Sequence, residues 1–274
     1  MKIEPIVSDS MGVRSLCVYV ITEDARILID PSAALGPYRY GLPPKPVEIA
    51  ALEHYKEVIR KYAEKSDIFI ISHYHYDHYD PAENFYEGKW VLAKDPRKNI
   101  NRSQFGRGTS FWKDWEGRCR MDVADSKKFE VGSTTIEFSK PVPHGNERTR
   151  LGYVVMSVID DGSERLLHAS DVQGPIVEET AEIILNFNPD IVIMDGPPTY
   201  FLGYKFSQTD LKRAIKNILR IAEEVNVLVL DHHLLRDLKY RERLKEIYDN
   251  YEILTFAEYR GEEIRMLEAH RKDL

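Results

Sequence analysis

Asp67-Ile68-Phe69-Ile70-Ile71-Ser72-His73-Tyr74-His75-Tyr76-Asp77-His78-Tyr79-Asp80-Pro81 is the stretch from which this chain is read, because an apolar run stops there abruptly at a cluster of histidine and aspartate. Ile68, Phe69, Ile70 and Ile71, bounded by Asp67 and Ser72, form a short continuous apolar run that fits a strand buried on both faces better than a helix. The chemistry sits at the strand's end. His73, His75, Asp77 and His78 supply three imidazoles and one carboxylate, a ligand set that suits zinc and related first-row metals. Four such side chains on one short turn would be poorly solvated without a cation, so the stretch reads as a metal-binding loop.

His73-Tyr74-His75-Tyr76-Asp77-His78 resembles the His-x-His-x-Asp-His signature of the metallo-β-lactamase superfamily, and it follows a buried strand as it does there. Within that superfamily the whole chain is similar to an uncharacterised archaeal branch of metallo-β-lactamase-like hydrolases, which implies a reaction class without a substrate. The implied fold is α/β, or α+β in some schemes, a four-layer αβ/βα sandwich with the site at one edge. It implies one domain over residues 1–274, although the length of 274 residues has room for two.

Upstream, Leu16 to Ile21 and Arg26 to Ile29 read as two strands joined at Thr22-Glu23-Asp24, the second ending in Asp30-Pro31. The resemblance places Asp30 where a carboxylate supports the ligand loop; the plain alternative is a turn aspartate before proline. Residues 36–46, rich in glycine, proline and tyrosine, cannot be regular structure. In the superfamily this loop flanks substrate, which makes Arg39 a substrate-contact candidate. From Val47 to Lys65 the apolar positions recur at helical spacing behind Pro46.

Downstream, Trp90 to Ala93 is a short strand, and residues 94–122 change character, with eight basic against four acidic residues interleaved with Phe105, Phe111, Trp112 and Trp115. Such a basic and aromatic insertion can track a phosphate backbone, cover an anionic small substrate, or simply pack on the core. Two strands follow around the turn Val131-Gly132-Ser133. Gly152 to Ile159 and Glu164 to Ala169 then form a hairpin across Asp160-Asp161-Gly162. Pro175 to Phe187 reads as helix, Ile191 to Met194 as a buried strand ending at Asp195, and residues after Ser207 as a capped helix. Val227 to Leu230 is the next strand, followed by Asp231-His232-His233, a charged helix over Arg236 to Tyr248, and a strand over Ile253 to Phe256.

Carried over position by position, the resemblance implies one metal held by His73, His75 and His144, a second by Asp77, His78 and either His232 or His233, and Asp171 bridging the two. His232 is favoured by its register after the strand. Asp231 is then expected to orient an imidazole, and Asp195 to have a role at the site. Two divalent ions, zinc before manganese or iron, would share a bridging hydroxide as nucleophile, with Asp77 and Asp171 as catalytic residues. Tyr74, Tyr76 and the unused histidine of the doublet are candidates for general acid. Oxygen-reducing diiron relatives carry glutamate where this chain has His75, and add a flavin-binding domain for which no length remains. The expectation is therefore hydrolysis of an ester, lactone or phosphodiester. The alternatives are a nucleic-acid-processing nuclease of the same fold, or a metal-stabilised binding protein without turnover.

Composition bounds these readings. With 43% hydrophobic and 30% charged residues the chain reads as a soluble globular protein. A net charge of −7 disfavours nucleic-acid binding by bulk electrostatics, so the expected partner is a small molecule or a phosphodiester. Cys17 and Cys119 are too few for a disulfide framework and fit a reducing cytoplasm. The N-terminal residues lack a signal-peptide pattern and nowhere do about 18 apolar residues run together, so no membrane role is expected.

Overall fold

A computed structural model of the protein describes residues 1–274. Two sheets face each other. The first comprises β1 (Lys2–Ser8), β2 (Leu16–Ile21), β3 (Arg26–Ile29), β4 (Ile68–Ile71), β5 (Trp90–Ala93) and β6 (Arg120–Val123), in that spatial order. Its first three strands are antiparallel and the pairs β3–β4, β4–β5 and β5–β6 are parallel. The second contains β7 (Lys128–Val131), β8 (Thr134–Phe138), β11 (Ser157–Asp160), β12 (Arg165–Ala169), β13 (Ile191–Asp195), β14 (Val227–Asp231) and β15 (Ile253–Leu254). Between β8 and β11, β9 (Val142–Pro143) and β10 (Tyr153–Val154) form a separate two-stranded ladder.

The alternation of side chains across the second sheet builds the layers. Ile159, Leu166, Ile191, Ile193 and Val229 face the first sheet, while Val158, Leu167, Val192, Met194, Leu228 and Leu230 belong to the core beneath α3 (Glu178–Asn186) and α4 (Gln208–Glu224). The first sheet carries α1 (Pro46–Lys65), which packs on β1 and β3. Helix, sheet, sheet and helix make the four layers that the sequence predicts. Burying an aliphatic side chain completely contributes about 1.5–3 kcal/mol, so these two-faced strands dominate the core energetics. Ser207 caps α4, accepting from the Asp210 N–H at 3.0 Å. Ser207→Ala is expected to lower unfolding free energy by about 1 kcal/mol, read as a shifted urea midpoint at constant slope.

Several boundaries differ from the sequence reading. β1 was not anticipated; it is an edge strand with a register shift between Pro5 and Val7, the position where a strand tolerates proline. The expected strand Gly152 to Ile159 is broken, because Val155 donates to Ser72 O and only Ser157 onward joins the main sheet. The basic and aromatic residues 94–122 hold α2 (Arg102–Trp115) and most of β6, an edge strand of the first sheet. Phe111 and Trp115 are buried, and Gly108 lets α2 approach the Tyr74 ring, which a Cβ would meet at 2.7 Å. No single helix covers Arg236 to Tyr248. A 3-10 turn over His232–Arg236 precedes α5 (Tyr240–Arg243) and α6 (Lys245–Tyr248), which are separated at the buried Leu244. The last expected strand stops at Leu254 because Thr255 and Glu258 form a capping box that starts α7 (Phe256–Tyr259). The polar tail is anchored by a fully buried pair, Arg271 Nη2 to Glu48 Oε1 at 2.7 Å.

Candidate metal centre

The parallel strands bring their C-terminal ends to one edge. β3 leads into Asp30, β4 into Ser72 and His73, β12 into Ser170 and Asp171, and β13 and β14 end in register at Asp195 and Asp231. At Asp30, Asp171 and His232 the backbone turns off its strand with φ of 47°, 58° and 55°, a left-handed conformation that costs about 1–2 kcal/mol in a residue with a Cβ. Such strain collects at sites whose side-chain placement the fold enforces.

Six imidazoles converge on the Asp171 carboxylate. Its Oδ2 lies 2.8 Å from His144 Nε2, 3.4 Å from His73 Nε2 and 3.9 Å from His75 Nδ1. Its Oδ1 lies 3.2 Å from His78 Nε2 and 3.4 Å from His232 Nε2. Asp77 joins this second group, 3.8 Å from His78 Nε2 and 3.6 Å from His232 Nε2. His73, His75, His144 and Asp171 could hold one metal ion, and Asp77, His78 and His232 another. Ligands about 2.0–2.1 Å from a tetrahedral zinc stand roughly 3.3 Å apart, so the donor spacing suits such an ion. His78 Nε2 and His144 Nε2 are buried without an aligned hydrogen bond although Asp171 lies 3.2 and 2.8 Å away, which suits nitrogens that share an ion with that carboxylate.

The outer ring nitrogens of His78 and His233 are fixed from behind, whereas His144 Nδ1 is buried without a partner. Asp30 accepts from Ser72 N at 2.8 Å and Ser72 Oγ at 2.6 Å, and its Oδ2 lies 3.0 Å from His78 Nδ1. Asp195 Oδ2 lies 2.7 Å from His233 Nδ1 and turns His233 Nε2 toward Asp171, 4.0 Å away. His232 meets Asp77 and His78, while His233 is anchored on Asp195; both stay within reach of Asp171, and Asp171, His232 and His233 form a further group that could hold an ion. His168 lies outside the cluster, with Nε2 2.9 Å from Leu16 O.

Two expectations need correction. Asp231 does not orient an imidazole; its carboxylate accepts from the backbone N–H groups of Ser10, His232 and Phe256 at 3.0, 2.7 and 2.8 Å. That role belongs to Asp9, whose Oδ2 lies 2.7 Å from His232 Nδ1 and whose Oδ1 accepts from Arg236 Nε at 2.7 Å. Arg39 does not line the site cavity; it donates to Arg236 O at 2.7 Å and stacks against Tyr40 and Tyr200. Asp9 carried no local sequence signal. Gln104 was missed as well: it donates to Leu151 O and accepts from Tyr74 N, holding α2 to the ligand loop.

Electrostatics favours the ligand forms. Burial pushes His73 down to about 3, and it also lowers His75, so both imidazoles are neutral. Burial alone would raise Asp77 and Asp171, yet His78 and the other imidazoles hold both carboxyls below the ordinary range. Burial opposes charge on His78, but Asp171 and Asp77 raise it well above the usual imidazole value. The cluster thus calls for positive charge at its centre, which a bound cation could supply.

A cavity of about 770 Å³ opens over the cluster, lined by His75, Asp77, His144, Asp171 and His233 among others. Of the basic side chains in residues 94–122, only Arg107 reaches it. No helix is long and apolar enough to cross a membrane.

No family model matches the chain. A UPF0282 protein of Korarchaeum cryptofilum is 46% identical over 282 residues, an alignment covering 100% of this chain and 94% of that protein. Among solved structures, a possible metal-dependent hydrolase from Veillonella parvula superposes with a TM-score of 0.55 at 14% identity, covering 92% of this chain and 94% of the other. Zn(2+)-bound PqqB from Methylobacterium extorquens gives 0.53 at 12% identity, with coverages of 89% and 86%.

Proposed function

We propose that this chain, which belongs to the UPF0282 family of archaeal proteins and has the metallo-β-lactamase fold, is a metal-dependent hydrolase using two divalent ions. The observation that carries the reading is the Asp171 carboxylate, with Oδ2 facing His73, His75 and His144 and Oδ1 facing His78 and His232. That arrangement is what a bridge between two ions requires. Bound there, the ions would lower the pKa of a shared water from 15.7 toward about 7 and polarise the oxygen under attack. Zinc suits the nitrogen-rich donor set, and the zinc held by the PqqB neighbour agrees with that choice.

The chain's own residues supply the rest. Asp171 joins the two ligand groups, Asp30 and Asp9 fix the tautomers of His78 and His232, and Asp77 orients the attacking water. His233 lines the cavity with Nδ1 anchored on Asp195, so its Nε2 is placed to pass a proton of the attacking water to the leaving group. His233→Ala is expected to lower kcat about a hundredfold while metal content stays unchanged. A parallel loss of metal would instead make His233 a ligand.

The reading as a whole is tested by metal content per chain after purification without added metal. Hydrolysis of bis-nitrophenyl phosphate, a lactone and a thioester is measured alongside. Close to two ions with turnover of at least one ester supports it. Intact metal with no turnover of any of the three would leave a metal-stabilised binding protein.

A further inference from the structure

The cavity over the metal centre carries charge that the reading above does not use. Arg14, Arg107, Arg148, Arg150, Lys205 and Arg236 line it, whereas its carboxylates are Asp77 and Asp171, both turned to the metal cluster. This accumulation occurs in a chain of net charge −7. Two of the cations are spoken for: Arg14 Nε and Nη2 pair with Glu268 at 2.6 and 2.7 Å, and Arg236 pairs with Asp9 at 2.7 Å. The other four have no carboxylate partner. Arg107 donates to Tyr74 O and Ser103 Oγ and lies 4.8 Å from the Tyr76 ring centroid. Lys205 has only the Phe201 and Tyr204 rings beside it. Glu147, adjacent to Arg148, is taken by Arg213 on α4.

These four cations reach the cavity from three segments of the chain. Arg107 comes from α2, Arg148 and Arg150 from the loop after His144, and Lys205 from the loop before α4. Some surface arginines find carboxylates, as Arg60 does with Glu83 and Arg165 with Asp160, and others such as Arg97 do not; what sets these four cations apart is that they share one cavity. Unpaired cations beside a dication site repel one another unless an anion enters. The planar guanidinium fork matches phosphate oxygens, and a space of about 770 Å³ suits a nucleotide-sized ligand. Tyr76, 54% exposed in the cavity wall, holds the Arg107 guanidinium against its ring and so keeps that fork at the cavity.

We infer that the substrate is a small phosphodiester of nucleotide size carrying a second phosphate, which Arg107, Arg148, Arg150 and Lys205 grip while the scissile group lies over the metal centre. This rests on the hydrolase reading. In the reaction the water oxygen bonds to phosphorus and one P–O ester bond breaks, its electron pair leaving on the ester oxygen. One proton of the water passes through His233 to that oxygen, giving a phosphomonoester and an alcohol.

The test uses the zinc-loaded protein with the p-nitrophenyl ester of thymidine 5′-phosphate, with and without a 3′-phosphate. Binding of adenosine 3′,5′-bisphosphate is followed by calorimetry. The added phosphate is expected to lower KM at least about tenfold, and the R148A/R150A double variant, both positions being exposed, to erase that gain and weaken bisphosphate binding equally. Arg97→Ala, on the surface away from this cavity, serves as the control and leaves both readouts unchanged. A gain that is absent, or that survives in R148A/R150A and in K205A, overturns the inference. Turnover of a lactone but of neither diester overturns it while the hydrolase reading stands. Bisphosphate binding that depends on these arginines, with no ester hydrolysed, sinks the hydrolase reading and keeps the anion site. Cleavage of a single-stranded oligonucleotide with neither mononucleotide diester cut overturns it in favour of nucleic acid.

Discussion

Asp171→Ala is expected to remove both metal ions and to reduce ester hydrolysis by more than about a thousandfold, because the attacking water would return toward its bulk pKa of 15.7. Both carboxylate oxygens are engaged, Oδ2 by the group of His144, His73 and His75, and Oδ1 by His78 and His232. Loss of the carboxylate also leaves five imidazole nitrogens facing one another without the negative charge that brings a cation among them. His73→Ala should behave differently, emptying the group that contains His75 and His144 and sparing that of Asp77, His78 and His232. Elemental analysis of both variants decides the matter. Two ions retained in Asp171→Ala would remove the bridging assignment, and equal losses in the two variants would remove the division into groups.

Asp9→Ala should be costly although Asp9 would touch neither metal nor substrate. Its carboxylate is 5% exposed and serves two partners, His232 Nδ1 and Arg236 Nε, each at 2.7 Å. Without it the buried Arg236 guanidinium has lost its acid, and its nearest remaining carboxylate is Asp77 at 3.9 Å. Breaking a buried pair in this way destabilises by about 3–5 kcal/mol. A guanidinium drawn toward Asp77 would also compete with the metal for that carboxylate, and His232 would lose the acceptor that fixes its tautomer. Metal affinity is therefore expected to fall about 10–100-fold. Urea unfolding of the metal-free protein separates the first effect from the second, which a zinc titration reads. Wild-type affinity in Asp9→Ala would show that His232 is held by its backbone alone.

The sequence by itself determined what lies within a few residues. Ile68 to Ile71 has to be a strand buried on both faces because its apolar run is continuous, and His73, His75, Asp77 and His78 follow it so closely that their convergence needs only one turn. The hairpin at Asp160-Asp161-Gly162 and the Ser207 cap are equally local, each set by the φ or hydrogen-bonding preference of one or two residues. His144, Asp171 and the histidine doublet were legible only through resemblance, since nothing near them states which strand ends lie side by side.

Tertiary structure decided the rest. Within the doublet His232 is faced by Asp77 and His233 by Asp195, 155 and 38 residues away in the chain respectively. Asp9 displaced Asp231 as the partner of His232 across 223 residues, because the turn after β1 packs under the turn after β14 while the Asp231 carboxylate is consumed by backbone N–H groups. The C-terminal strand and helix were misjudged where side-chain caps and a buried leucine override periodicity. Arg148, Arg150 and Lys205 are ordinary loop cations in one dimension. Only the tertiary structure sets them around one cavity, Arg148 and Arg150 from the loop between the antiparallel β9 and β10 and Lys205 from the loop after the parallel β13, because a hydrogen-bonded register fixes the spatial order of residues that chain connectivity leaves free.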